Sequence, residues 1–216
     1  MQEERSPLIA LQSPSTLAEY LTGSQAKSFS RLSRIELEDI RIPESAIVDT
    51  SPWVAERTLD SLPDFIAKVT PSLRLRLSQK PKANGAPTLI FVVGSALRVA
   101  DVTRVLKNRK LRGEKGGDVG KFFARHIKLE DHVTYLRRTK IGAAVGTPGR
   151  LGKLLELDSM AVSALTHIII DLSYRDTKRR SVLDIPETRD EVFGKILSYK
   201  SVLQGIRAGK VQIVLF

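Results

Sequence analysis

A three-layer α/β domain with a mostly parallel sheet is the architecture this sequence predicts for residues 46–216. Three observations carry that expectation. The apolar runs "LIFVV", "GAAVG" and "HIII" are short and unbroken rather than alternating, as in strands buried on both faces. They are interleaved with amphipathic segments of about 10 to 15 residues, the pattern of βαβ units. A chain of 216 residues with 42% apolar content can fill one core and is short for two.

Residues 1–45 read as an extended, partly disordered arm. "QSPSTLAEYLTGSQAKSFSRLS" is rich in Ser and lacks sustained periodicity beyond one short helix at Leu17 to Leu21, and the acidic "IELEDIRIPES" that follows is placed to fold back on a basic body. "AIVD" reads as a first strand. "TLDSLPDFIAKV" is a helix with Leu59, Leu62, Phe65, Ile66 and Val69 on one face. "PTLIFVV" is a strand and "SALRVADVTRVLKNRK" a basic helix. "GEKGGDVG" reads as a flexible connector, with "KFFARHI" as the next strand and "LEDHVTYLRR" as the helix after it. "KIGAAVG" and "LTHIIID" are two more buried strands, separated by a helix that starts after Pro148. "RDEVFGKILSYKSVL" is the last helix and "VQIVLF" the last strand. No internal repeat is visible.

Composition narrows the function. Thirty-five Lys and Arg against 24 Asp and Glu leave a net charge of +11, which favours a polyanionic partner over an uncharged one. There is no cysteine, so disulfides and thiolate metal sites are excluded, as suits an intracellular protein. "LIFVVGSAL" is far shorter than the ~18 to 20 residues that cross a bilayer. "MQEERSPLIA" carries early acids, against a secretory or mitochondrial presequence. His126, His132 and His167 are not spaced as ligands on one helix face, and no Ser-His-Asp pattern stands out. No metal, no cofactor, no catalytic residue, no small-molecule substrate and no membrane association are expected.

Ligands of open parallel sheets bind beyond the carboxyl ends of the strands, and there "GTPGR" falls. Pro148 near the first helical position and Gly149 beside it leave backbone N–H groups at a helix start, where the dipole favours anions, and Arg150 adds a rigid donor fork. The other reading of these residues is a turn kept for geometry. Arg98, Arg104, Lys107, Arg109, Lys110, Arg112 and Lys115 form the densest basic run, with Arg137, Arg138 and Lys140 and then Lys178, Arg179 and Arg180 as further clusters. Each suits phosphate contact without sequence readout or, equally, a solvated face. The candidate RNA-binding residues are Thr147, Gly149, Arg150, Arg104, Lys107, Arg109 and Lys110. Trp53 reads as a core anchor rather than a stacking platform.

From Ala86 to Phe216 the order of segments resembles the first RecA-like lobe of a DEAD-box RNA helicase. "LEDHVTYLRRTKIGAAVGTPGRLGKLLE" is similar to that lobe's helix, strand, Thr-Pro-Gly-Arg and helix, and "GKVQIVLF" to the strand that runs into Ser-Ala-Thr. The catalytic parts differ. "DTSPWVAERTL" holds no Gly-Lys cradle for phosphates, and Glu56-Arg57-Thr58 is a degenerate relic of one. "GGDVGKF" has the wrong spacing and Phe122 where a hydroxyl is needed. Asp171 is followed by Leu172, which cannot act on water. Asp171 therefore reads as a strand-end cap rather than a metal ligand.

The set "LEDIRIPES", "LPDFI", "GSALRVADV", "KFFARHIKLE", "GTPGRL" and "IIIDLSY" resembles the fungal Cms-type family of the small-subunit pre-ribosome. The resemblance implies a non-enzymatic RNA- and protein-binding factor of the nucleolar 90S particle, or small-subunit processome, acting in rRNA processing and ribosome biogenesis. Pre-ribosomal RNA or snoRNA and processome proteins would be its partners. A divergent NTPase or one half of a split helicase is the alternative from the enzyme class, and a DNA-associated nuclear module a third.

Overall fold

Parallel strands cannot be joined by hairpins, so each connection must cross a face of the sheet, and the helices supply those crossings. The computed structural model describes residues 9–216. Five strands, β1 (Leu89–Val92), β2 (Asp118–Phe122), β3 (Ile141–Gly146), β4 (His167–Ile170) and β5 (Gln212–Leu215), form one sheet in the order β2-β3-β1-β4-β5. All four pairings are parallel.

Because side chains alternate across a strand, the fully buried strands feed two cores. Ile90, Val92, Ala144, Ile168, Ile170, Ile213 and Leu215 face one layer, and Leu89, Phe91, Ala143, Val145, Ile169 and Val214 the other. The second layer is built by α3 (Leu62–Val69), α4 (Pro71–Leu77), α5 (Ala96–Leu106) and α6 (Arg109–Arg112). The first takes α1 (Pro14–Ser28), α7 (Leu129–Arg138), α8 (Pro148–Glu156), a π-helical segment Val192–Leu197 that continues α9 (Pro186–Glu191), and α10 (Lys200–Arg207). The short α2 (Arg34–Asp39) starts with a capping box between Ser33 and Glu36.

Several expectations change. The arm is folded from residue 9 to 45: Ser13 caps the 15-residue α1, whose Leu17, Ala18 and Leu21 lie in the first core. Each buried leucine contributes about 1.5–3 kcal/mol, which is why a Ser-rich segment with little periodicity is held in place. Residues 1–8 of that arm lie outside the described residues. "AIVD" shrinks to one parallel bridge, Ile47 to Ile213, with the Val48 N–H donating to the Ile213 carbonyl at 2.9 Å. The "GEKGGDVG" connector is partly strand: β2 begins at Asp118, and Gly117 lets the chain close against Gly142 of β3 and Pro81 where any side chain would collide. α4 has no helical signature in the sequence, since "LRLRL" alternates like a strand, yet Leu73 and Leu77 point inwards one helical turn apart and Leu75 stays exposed.

Candidate functional site

The carboxyl ends of the strands gather Gly94 and Ser95, Thr147, Asp171 and Phe216 at one edge. Asp171, at the end of β4, is 1% exposed. Arg98, one turn into α5, donates from Nε to its Oδ2 at 2.7 Å and from Nη2 to Ser173 Oγ at 2.9 Å, with the guanidinium over the Tyr174 ring. Asp171 Oδ1 accepts from the Ser173 hydroxyl at 2.7 Å and from the Ser173 and Tyr174 N–H groups. Both oxygens are thus engaged within the chain, and a cation would have to displace Arg98 to reach them. The neighbouring Leu172 is buried, and its N–H extends the sheet by donating to the Phe216 carbonyl.

Arg57, in the segment "DTSPWVAERTL", turns inwards. Its guanidinium, buried to 8% exposure, donates to the carbonyls of Leu215 at 2.5 Å, Ala10 at 2.6 Å and Thr50 at 3.2 Å, and stacks over Phe65. Thr50 Oγ1 in turn donates to the same Ala10 carbonyl. Burial lowers the Arg57 pKa to about 10. The cavity left beside it is about 200 Å³, lined in part by Ile9, Glu56 and Leu172, below the roughly 300–1,000 Å³ of a ligand pocket. Trp53 packs edge-on against Phe65 as a core anchor.

The "GTPGR" turn is also engaged from inside. The Thr147 N–H donates to Phe122, and those of Arg150 and Leu151 to Thr147, so among the described residues the Gly149 N–H alone remains for an outside anion. A Cβ at Gly149 would lie 2.5 Å from a Glu191 carboxylate oxygen, so that carboxylate already occupies the positive end of α8. The Arg150 fork turns inwards, with Nη1 against His132 Nδ1 at 3.1 Å and Nη2 donating to the Ile127 carbonyl at 3.0 Å. Burial and this guanidinium push the His132 pKa down to about 4, keeping the ring a neutral acceptor.

The candidate basic residues are not brought to this edge. α5 leaves the end of β1 and runs back, so its last turn and α6 lie near the start of β2: Lys107 pairs with Asp118 at 3.9 Å and Arg104 with Asp101 at 3.2 Å. Arg109 and Lys110 are exposed on α6. Thr147, Gly149 and Arg150 therefore form one group, and Arg104, Lys107, Arg109 and Lys110 another towards the opposite end of the sheet. The histidines are dispersed over a loop, α7 and β4. Sequence reasoning missed the roles of Arg57 and Arg98. Their signal was weak, since each sits among other charges and only the topology brings it to a strand end.

These features define a class: a three-layer parallel α/β domain whose strand ends are closed by its own arginines. The chain belongs to the CMS1 family, the U3-containing 90S pre-ribosomal complex subunit, whose family model matches residues 4–216. It is 39% identical over 172 residues to Protein CMS1 of Chaetomium thermophilum, covering 80% of this chain and 67% of that protein. It is 33% identical over 206 residues to Protein cms1 of Schizosaccharomyces pombe, covering 95% and 71%. Human Protein CMSS1 is 32% identical over 165 residues, covering 76% of this chain and 55% of that protein. Similar solved structures include a DEAD-box protein of Methanococcus jannaschii (16% identity, TM-score 0.44, 74% of this chain and 37% of that one) and the yeast DEAD-box splicing factor Prp28 (15%, 0.46, 75% and 35%). At that distance nothing about activity follows.

Proposed function

We propose that this chain serves the 90S pre-ribosome in the nucleolus as a helicase-like module that does not hydrolyse ATP and acts by binding RNA and processome proteins. The observation that carries the reading is the Arg98–Asp171 pair: the one acid kept at the end of β4 is saturated by an arginine and two local N–H groups. Phosphoryl transfer needs a metal-holding acid, a cradle and a group on the attacking water. Here the acid is occupied, Arg57 fills the cradle and Leu172 stands in the third place. The surplus of cations supplies binding instead, through Arg104, Lys107, Arg109 and Lys110 and without sequence readout.

Two measurements test this. Mg·ATP should give neither hydrolysis above background nor a rise in Tm. A saturable rise, which linkage demands of any ligand of the folded state, would favour the divergent NTPase or split helicase. Reversing Arg104, Lys107, Arg109 and Lys110 to Glu should weaken binding to pre-ribosomal RNA by roughly tenfold or more at low salt. Unchanged binding would move the RNA contact elsewhere or leave the particle contact to protein alone.

A further inference from the structure

The strongest unassigned feature lies at the amino ends of the strands, opposite the edge where a helicase-like site was expected. Two adjoining hollows of about 690 and 370 Å³ meet at Arg76, Ser163 and Ala164 and make one trough. Thr88, Thr166 and Val211, the residues just before β1, β4 and β5, put its floor at the starts of three strands. The C-terminal end of α4 forms one wall and the last turn of α10 the other.

The lining chemistry is one-sided. Arg76, Lys80, Lys82 and Lys210 line the trough, all four are exposed, and no Asp or Glu lines either hollow. Among the described residues none of the four takes part in an ion pair, whereas Arg104 and Lys107 each face a carboxylate. The other polar lining groups are neutral donors such as Ser163, Thr166 and Gln204, and no aromatic ring is present on which a base could stack. Cations at spaced positions, neutral donors between them and no stacking platform suit a chain of phosphates read without regard to base. An acidic peptide would also be attracted, and the trough has apolar lining at Val162, Leu165, Val211 and Pro81, but Leu165 and Val211 are buried and no large apolar side chain stands exposed in it to grip a peptide.

We infer that this trough is a binding site for the phosphodiester backbone of RNA, separate from the "GTPGR" turn and beside the α5–α6 basic face. This rests on the RNA-binding reading above and deepens it by assigning a surface.

The test uses the full 216-residue chain, labelled with nitrogen-15, titrated with an oligouridylate of about 15 nucleotides at low salt. The backbone amides of Ser163, Thr166 and Gly209 should shift, with those of Thr147 to Leu151 little changed. In a parallel anisotropy measurement, Arg76→Glu, Lys82→Glu and Lys210→Glu together should weaken binding by roughly tenfold or more and lower the log–log salt slope by about 2, at about 0.7 per single-strand phosphate. The neutral set Arg76→Gln, Lys82→Gln and Lys210→Gln guards against misfolding of the reversed one and should show a smaller loss of the same kind. RNA bound by both sets with wild-type affinity and slope would overturn the trough and leave the RNA reading standing. No RNA binding by the wild type would overturn both. Oligoglutamate of equal charge producing the same shifts as tightly as RNA would overturn RNA as the ligand.

Discussion

The two ends of the sheet differ in where their charges find partners. At the carboxyl edge, Arg57 is held by three carbonyls, Arg98 by Asp171 and Ser173, and Arg150 by His132 and Ile127, while Glu191 lies against the start of α8. At the amino edge, Arg76, Lys80, Lys82 and Lys210 face solvent, and among the described residues none makes an ion pair. At the first edge the polar groups serve as fastenings for the fold. Substitutions there should therefore register in stability, and substitutions at the other edge in affinity.

The largest break is expected at Asp171. Removing one partner of a buried pair leaves the other charge stranded, so Asp171→Ala should cost about 3–5 kcal/mol in urea unfolding. The double change Asp171→Leu with Arg98→Met should cost clearly less than the single one, because an apolar pair leaves no orphaned charge. A single change that costs no more than a surface substitution would mean the edge is not held together by this pair. Second in size is Arg57→Leu, which leaves the Leu215 carbonyl without a donor, removes the charged donor from those of Ala10 and Thr50, which keep the Thr50 hydroxyl and the Trp53 N–H, and should cost about 2–4 kcal/mol. In hydrogen exchange the wild-type α1 should be protected, and Arg57→Leu should lower the protection at Ala10 and through α1 before that of β1. Equal loss everywhere would show that the segment is fastened by its leucines alone.

The legible part of this molecule was its sheet. Unbroken apolar runs such as Leu89–Val92 and His167–Ile170 are buried on both faces, as suits central parallel strands, and their β-branched residues and short length favour strand over helix. The alternation of strands and crossings along the chain followed, and with it the strand end where "GTPGR" lies, although only Lys121 and Phe122 of "KFFARHI" belong to β2. The state of that edge was not legible. Whether Arg150 points outwards or towards His132 depends on the packing of α7 against α8, and Arg57 meets Leu215 across a separation of 158 residues. Nor could composition show that α1 would dock, because its apolar residues are few, and two leucines and an alanine suffice when a ready-made core receives them.

A third, smaller effect concerns pH. Burial lowers the pKa of both His132 and His167 to about 4 from an ordinary 6.5. For a group depressed on folding, the unfolded chain binds more protons between the two values, so stability is complete above about 6.5 and is lost as pH falls towards 4. Each histidine should contribute about 1–3 kcal/mol to that loss. Replacing His167 by Gln should flatten the acid limb of the stability profile by one histidine's share. An unchanged limb would show that carboxylates alone produce it.

The smallest expected effect is the sharpest test of the contrast, because it asks for almost none. Arg150 would be the first residue to suspect of holding RNA, yet both arms of its fork are engaged within the chain. Arg150→Ala should lower stability by about 1–2 kcal/mol, the cost of leaving the Ile127 carbonyl and His132 ring without their donor, and should change RNA affinity by less than about twofold. The same substitution removes a positive neighbour that helps to depress His132, so the ring's pKa should rise from about 4 and its NMR titration should move to higher pH. That readout tells whether the inward contact exists in solution, whatever happens to binding. If His132 does not move while RNA affinity falls by tenfold or more, Arg150 faces outwards, the carboxyl edge is an RNA surface after all, and the division of the molecule into a fastened edge and a binding edge fails.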